Sequence, residues 1–270
     1  MPRLPRRTFV LASALTLVMA LPLTVSADHS WGGYHWARTA NPFTLQLGDN
    51  VTSAWDGYLG TTSTDWNEST VLKTSVVAGG SRSAKLCNAI TGKVQVCNAK
   101  YGSNGWLGLA TINITGGVHI TQGSAKMNDT YFNTAPYNNP NEKLHVVCQE
   151  VGHTFGLGHT SENGDSQNTC MDYFSNTGAN ATSTLSTHPN QHDYDQLGLI
   201  YGHLDGSTTL AAASTSPSPG KAGRSDAQPY RSERSDHGKH SELREYFADG
   251  TVRVTDVRWA DGPRTVIDRG

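Results

Sequence analysis

Four residues between positions 150 and 159 have the types and spacing of a hydrolytic metal site. Glu150 and His153 are three positions apart, and Gly156 and His159 follow at further steps of three. Gln149 lies four positions before His153, so on an α-helix the two side chains point the same way, about one turn apart. Three neutral ligands around one zinc ion would leave a fourth position open, as catalytic zinc sites do.

Each of these residues has a distinct predicted role. Gln149, His153 and His159 are the candidate metal ligands. Gly156 lets the chain turn sharply after the helix, because glycine adopts positive φ at little cost, and the turn returns His159 to the same ion. Glu150 lies one step round the helix, beside the ion, which suits a general base that acts on a water activated by the metal.

Gln149 stands where the common motif His-Glu-x-x-His has its first histidine. Its amide carbonyl can accept a metal and is neutral, as imidazole is, so the formal charge of the site does not change. An amide oxygen suits zinc less well than an imidazole nitrogen, so we expect weaker metal binding. Two readings stay open: a working site with one weak ligand, or a protein that has kept the fold and lost the metal.

No other residue is a better candidate for the third ligand. Cys148 lies on the wrong side of the predicted helix, and His145 is two turns upstream of His153 and about 80° off its face. Three further histidines cannot be placed from the sequence and are expected at the surface or in packing: His119, His188 and His192.

A second segment, residues 169–173, contains Met171 and Tyr173 and follows the predicted third ligand. Together with the motif from Glu150 to His159, this segment resembles the Met-turn of the metzincin superfamily of zinc endopeptidases. Within that superfamily the chain is most similar to matrixins and their bacterial secreted relatives. The resemblance covers roughly residues 31–201, and its specific motifs lie within 149–173.

The resemblance implies an α+β catalytic domain: a twisted mixed β-sheet with an active-site helix and a C-terminal helix. It implies that His153 and His159 bind Zn²⁺ and that Glu150 is the catalytic base. Met171 would form an apolar floor beneath the metal. Tyr173 matches a tyrosine that touches the zinc or the oxyanion in some metzincins, and simple packing is its alternative role.

The expected function is a secreted zinc-dependent endopeptidase that hydrolyses peptide bonds in peptide or protein substrates. An extended substrate would add to an edge strand of the sheet, either 108–114 or the region 119–121. The alternative is a catalytically inactive protein of the same fold that binds peptide or protein partners. We expect a monomer. We expect no nucleic-acid binding, because the net charge is −2 and the sequence has no basic run.

All four cysteines lie between Cys87 and Cys170. An even count in an exported chain predicts two disulfides, for which three pairings are possible. We favour Cys87–Cys97, which closes a short loop, and Cys148–Cys170, which ties the site helix to the segment after the site.

Composition divides the chain into four predicted parts. Residues 1–27 have the basic start, apolar run and small-residue end of a secretory signal, with a possible twin-arginine motif. Residues 28–206 form the catalytic domain, 207–241 a linker rich in Ser, Pro and charge, and 242–270 a hairpin-like extension. No span of the mature chain is long and apolar enough for a membrane helix.

The regular elements follow from periodicity. Apolar runs bounded by Gly, Asn or Ser predict strands at 43–47, 71–77, 94–98 and 107–114. Apolar residues at three- and four-residue steps predict the site helix at 141–156 and a second helix at 190–200.

Overall fold

The computed structural model describes Met1 and residues 28–212 and 228–260. Its strands and helices in chain order are β1 His35–Trp36, β2 Phe43–Asn50, α1 Asp56–Trp66, β3 Leu72–Ala78, β4 Lys93–Ala99, β5 Trp106–Thr115, β6 His119–Asn128, α2 Asp129–Phe132, α3 Pro140–His153, α4 Gln191–Ile200, β7 Arg231–His237, β8 His240–Tyr246 and β9 Val252–Trp259. The predicted signal segment 1–27 lies outside the described residues except for Met1.

The strands form one mixed sheet in the order β3-β2-β4-β6-β5-β9-β8-β7, with β1 paired to β6. The pairs among β3, β2, β4 and β6 are parallel, and the pairs from β6 through β5, β9 and β8 to β7 are antiparallel. The α+β class is therefore confirmed, with a mixed sheet, a site helix and a helix near the end of the main domain.

The main core lies between this sheet and the helices α1 and α3. This core contains buried side chains from the sheet and from α3. They include Leu45, Leu47, Val96 and Ile112 on the strands and Val147 on the helix. Complete burial of such side chains contributes about 1.5–3 kcal/mol each, so the core holds α3 firmly on the sheet.

The site helix α3 begins where the sequence predicts. Asn139 caps it, because its side chain accepts a hydrogen bond from the N–H of Glu142, and Pro140 occupies the first turn. The second predicted helix is α4, which begins with a capping box formed by Asn190 and Asp193. The predicted strands correspond to β2, β3, β4 and β5.

The extension is larger than the sequence indicated. It consists of three strands, and β7 falls inside the segment 207–241 that we expected to be linker. All seven residues of β7, RSERSDH, are exposed, so this edge strand carries no apolar pattern to reveal it. Pairing with β8 gives it structure. Residues 213–227 and 261–270 lie outside the described part of the chain.

Strand β9 of the extension pairs with β5 along its length, from Trp106 opposite Trp259 to Ile114 opposite Val252. On its other side β5 pairs with β6, and β6 also pairs with β4 and β1. Neither region that we predicted to be a free edge for substrate is therefore open in this structure. An alternating strand supplied by the chain itself occupies the place expected for an extended peptide.

Both favoured disulfides are formed. Cys87 bonds to Cys97, and Cys148 bonds to Cys170, which joins α3 to the segment containing Met171. Within the described residues no helix is long and apolar enough to span a membrane.

Candidate metal centre

His153 is the last residue of α3, and its ring is held in one orientation. Its Nδ1 lies 2.8 Å from the carbonyl oxygen of Leu157. A carbonyl can only accept, so Nδ1 carries the proton and the neutral ring presents a lone pair at Nε2. That buried Nε2 has no hydrogen-bond partner. A fixed tautomer with an unsatisfied nitrogen is the usual state of a metal-binding histidine.

The turn after α3 depends on Gly156. This residue has φ +92°, and a Cβ there would lie 1.9 Å from the carbonyl oxygen of Tyr34. The turn returns the chain so that the His159 ring lies edge-on to the His153 ring, with centroids 4.5 Å apart. The buried Nε2 of His159 also lacks a hydrogen-bond partner. The structure thus brings together the two histidines that the spacing predicted.

Glu150 is fully buried on α3 three residues before His153, and neither of its carboxylate oxygens has a hydrogen-bond partner. Burial, and then the nearby carboxylate of Asp256, raise the pKa of Glu150 well above its usual range, with Arg258 opposing them. Gly108 of β5 makes room for the carboxylate, because a Cβ at that position would lie 2.2 Å from Oε1. An unpaired buried carboxylate is costly, and a nearby cation would offset that cost.

Met171 packs beneath α3. A Cβ on Gly152 would lie 2.5 Å from the methionine sulfur, so the absence of a side chain there permits the close approach. The backbone N–H of Thr160, directly after His159, donates to the carbonyl of Met171 at 2.8 Å. The buried ring of Tyr173 lies edge-on to His159, with centroids 4.4 Å apart. Met171 therefore packs against α3, and Tyr173 packs against His159.

The C-terminal extension adds two further candidate ligands, His240 from β8 and Asp256 from β9. The ligand atoms of His153, His159, His240 and Asp256 all lie within 4.8 Å of one another. Asp256 Oδ1 is 2.9 Å from Nδ1 of His240, 3.6 Å from Nε2 of His153 and 4.0 Å from Nε2 of His159. The His240 ring also lies edge-on to His159 and stacks on Tyr173.

These separations are close to those of a tetrahedral zinc site. Ligands at about 2.0–2.1 Å from zinc are about 3.3 Å apart along each edge of the tetrahedron. The separations measured from Asp256 fall on either side of that value, and small side-chain rotations would equalise them. Three histidines and one carboxylate are a donor set that zinc accepts.

Gln149 does not face this cluster with a free carbonyl, and this corrects the predicted ligand set. Its Oε1 accepts from Nη1 of Arg258 at 2.6 Å, and its Nε2 donates to the carbonyl of Asp172 at 2.8 Å. Arg258 Nη1 also lies 3.1 Å from Nε2 of His145, and its Nη2 donates to the carbonyl of Phe174 at 2.6 Å. Gln149 therefore anchors β9, and His240 is the third candidate nitrogen ligand beside His153 and His159.

The pKa shifts agree with a site built for a cation. Burial, and then the neighbouring histidine His240, hold the pKa of His159 well below its usual range, and burial lowers the pKa of His153. Burial raises the pKa of Asp256 to about 6, against the effect of His153. Neutral imidazoles are the form that binds a metal.

Sequence reasoning missed His240 and Asp256, although a signal was present. On a strand, alternate residues face the same side, so Val254, Asp256 and Arg258 of β9 share one face. All three are buried. An acid and a base on the same strand face as Val254 indicate partners within the protein rather than an inert extension.

Comparisons with known proteins add little to this picture. No family model matches the chain, and no curated protein matches it. Among solved structures, it is similar to high choriolytic enzyme 1, a hatching enzyme zinc-protease from the medaka fish Oryzias latipes, with 13% identity and a TM-score of 0.33. The match covers 62% of this chain and 94% of that one. A similarity this weak supports no conclusion about activity.

Proposed function

We propose that this chain is a zinc-dependent peptidase whose C-terminal extension covers its own active site. One observation carries the proposal. Two buried histidine nitrogens, on His153 and His159, converge without hydrogen-bond partners, and the unpaired carboxyl group of Glu150 is buried on α3 three residues before His153. A packing role would leave three unsatisfied groups in one buried place, and each would cost about 1–3 kcal/mol.

The residues present fit a zinc ion. His153, His159 and His240 would hold it, with Asp256 as the fourth ligand. Bound there, zinc would polarise a substrate carbonyl and make a water more acidic. Glu150 would accept a proton from the attacking water and pass it to the leaving amine. Tyr173, whose ring packs against His159, would donate a hydrogen bond to the oxygen that becomes negative.

The contacts of the extension favour an active site that is closed to substrate. Four protein ligands leave no free position on a tetrahedral ion, and β9 fills the strand position that a peptide substrate would need. The indole N–H of Trp31 donates to Oε2 of Glu242 at 2.6 Å, which adds a further contact to β8. Movement of β9 would withdraw Asp256 from the ion, and His153, His159 and His240 would remain as the three ligands of an open site.

The same pairing of β9 with β5 favours one alternative, a metal-binding protein without catalysis. If the extension never leaves β5, Glu150 has no access to a substrate. The two functions differ in one measurable respect, which is whether loosening the extension creates peptidase activity.

The experiment compares full-length wild type with Val257→Asp, each with and without Glu150→Ala. Val257 is fully buried with Trp106, Leu109 and Trp259 where the extension packs on β5, so an added charge there opposes docking. Hydrolysis of an unfolded protein is measured together with the zinc content. We expect low activity in wild type and higher activity in Val257→Asp, abolished by chelator or by Glu150→Ala.

Val76→Asp is the matched control, because Val76 is 42% exposed at the far edge of the sheet on β3. It introduces the same charge without touching the extension and should behave as wild type. If wild type and Val257→Asp both bind zinc and neither shows activity that depends on Glu150, the protein is the non-catalytic metal-binding alternative. The absence of zinc from folded wild-type protein would refute both.

A further inference from the structure

A second group of histidines lies where three parts of the chain meet. His35 is on β1, and His119 opens β6 and is its direct partner in the parallel ladder. His203 and Asp205 follow the end of α4. None of these residues belongs to the cluster around His153, and none takes part in the proposed reaction.

Asp205 is oriented toward the histidines by Arg38. Its Oδ2 accepts from Nη1 of Arg38 at 2.7 Å and from the backbone N–H of Arg38 at 3.1 Å. Its other oxygen, Oδ1, lies 3.2 Å from Nε2 of His119 and 3.6 Å from Nε2 of both His35 and His203. One oxygen is thus occupied by a fixed partner, while the other faces three imidazole nitrogens.

His35 has the outer hydrogen bond of a metal-binding histidine. Its Nδ1 lies 2.9 Å from the carbonyl oxygen of Gly33, so the proton is on Nδ1 and the lone pair of the neutral ring is on Nε2. That Nε2 lies 3.2 Å from Nε2 of His203. The rings of His119 and His203 stand at 86° and 90° to the ring of His35, so their edges rather than their faces approach it.

The spacing matches one bound ion. A tetrahedral zinc site with nitrogen and oxygen ligands has ligand separations of about 3.3 Å. The ligand atoms of His35, His119 and Asp205 all lie within 4.8 Å of one another, with 3.2 Å from Nε2 of His119 and 3.6 Å from Nε2 of His35 to Oδ1 of Asp205. Nε2 of His203 lies 3.2 Å from Nε2 of His35 and 3.6 Å from Oδ1 of Asp205, at the edge of this group. Three ligand atoms are therefore grouped for one ion, with a fourth close by.

Without a metal, two hydrogen bonds satisfy this arrangement: Nε2 of His119 donates to Oδ1 of Asp205, and Nε2 of His203 donates to Nε2 of His35. A metal ion would displace these two protons and bind the same atoms. The number of metal ions bound per chain therefore distinguishes the two states.

We propose that His35, His119 and Asp205 bind a second divalent metal ion, with zinc as the expected metal, and that the half-exposed His203 completes the site by a rotation of its ring. Its role is structural. It fastens the segment after α4 to β1 and β6, beside the backbone hydrogen bonds from Asp205 to Arg38 and from Thr209 to Ala37.

The test counts metal ions in the full chain. Zinc per chain is measured by atomic absorption after gel filtration, and the thermal unfolding midpoint is measured with and without zinc. We expect two zinc ions in wild type. His119→Ala and His203→Ala should each lose one ion and lower the zinc-dependent rise in the midpoint. His203 is half exposed, so its variant keeps the metal-free fold intact.

His188→Ala is the matched control, since His188 is also half exposed and also pairs with a carboxylate, Asp65, but lies outside the cluster. It should retain both ions. The double variant His153→Ala/His159→Ala separates this site from the first one, because it should lose one ion and keep the other. The second site is refuted if His119→Ala and His203→Ala bind as much zinc as wild type. If only the double variant His153→Ala/His159→Ala then lost zinc, the result would support the first site and not the second.

Discussion

Replacing His240 with alanine tests which residue completes the first metal centre. The free energy of zinc binding at sites with four protein ligands is about 10–16 kcal/mol, or about 3 kcal/mol for each ligand. Loss of one ligand should therefore weaken zinc binding about 100-fold. The prediction is that His240→Ala shows this loss, whereas Gln149→Ala changes zinc affinity much less.

The physical reason lies in the different contacts of the two side chains. The His240 ring is buried among the other candidate ligands, and Asp256 is 2.9 Å from its Nδ1. Both polar atoms of Gln149 are already bonded, to Arg258 and to the carbonyl of Asp172. Gln149→Ala should chiefly lower the free energy of unfolding, by about 1.5–3 kcal/mol, because Arg258 loses a buried acceptor.

The assay is competition for zinc against a coloured chelator, run on the full chain beside urea unfolding of the metal-free protein. His237→Ala is the control, because His237 lies three positions before His240 in the same extension and is exposed. It should bind zinc as wild type does. The reasoning would be wrong if Gln149→Ala lost as much affinity as His153→Ala while His240→Ala kept it.

Three further predictions concern the surroundings of the site. Gly108→Ala should lower peptidase activity at least about 10-fold with zinc still bound, because the added Cβ would lie 2.2 Å from the carboxylate of Glu150. Steady-state kinetics measure the loss of activity, and the zinc content shows whether the metal stays bound. Gly156→Ala should cost at least about 2 kcal/mol in urea unfolding, since φ is +92° and the Cβ would lie 1.9 Å from a backbone oxygen. Replacing Cys148 and Cys170 by alanine should cost about 3 kcal/mol through the 22-residue separation they close, measured by thermal unfolding against the oxidised wild type.

The site helix could be predicted because all of its signals are local. The cap at Asn139, the proline after it and the glycine turn at its end lie within one stretch of sequence. The same is true of the pairing of His153 with His159, which depends only on helix geometry and a short turn. Local rules therefore recovered half of the first cluster.

The missed elements lack such signals. Helix α1 has the sequence DGYLGTTSTDW, whose glycines and threonines are weak helix formers, and it is held by burial of Leu59 and Trp66. Strand β6 has the sequence HITQGSAKMN, with polar residues buried between neighbouring strands. In both cases tertiary packing overrides local preference, and a single sequence does not display that packing.

The other half of each cluster depends on long-range register. Asp256 is more than a hundred residues after Glu150, and it lies beside the site only because β9 pairs with β5 so that Asp256 is opposite Ala110. A shift of one residue in that pairing would turn Asp256 and Arg258 away from α3. The second cluster likewise needs β1 and β6 in register and the end of α4 nearby.

Gln149 links the altered motif to the extension. A histidine at position 149 could act as a metal ligand only by leaving Arg258 without its acceptor at 2.6 Å. With glutamine there, the amide accepts from Arg258 and donates to Asp172 at once, and this holds β9 in the register that brings Asp256 to His153. The absence of a histidine at position 149 and the presence of His240 on β8 are therefore two parts of one arrangement. In the proposed zinc site the ligands come partly from α3 and the turn after it and partly from the extension.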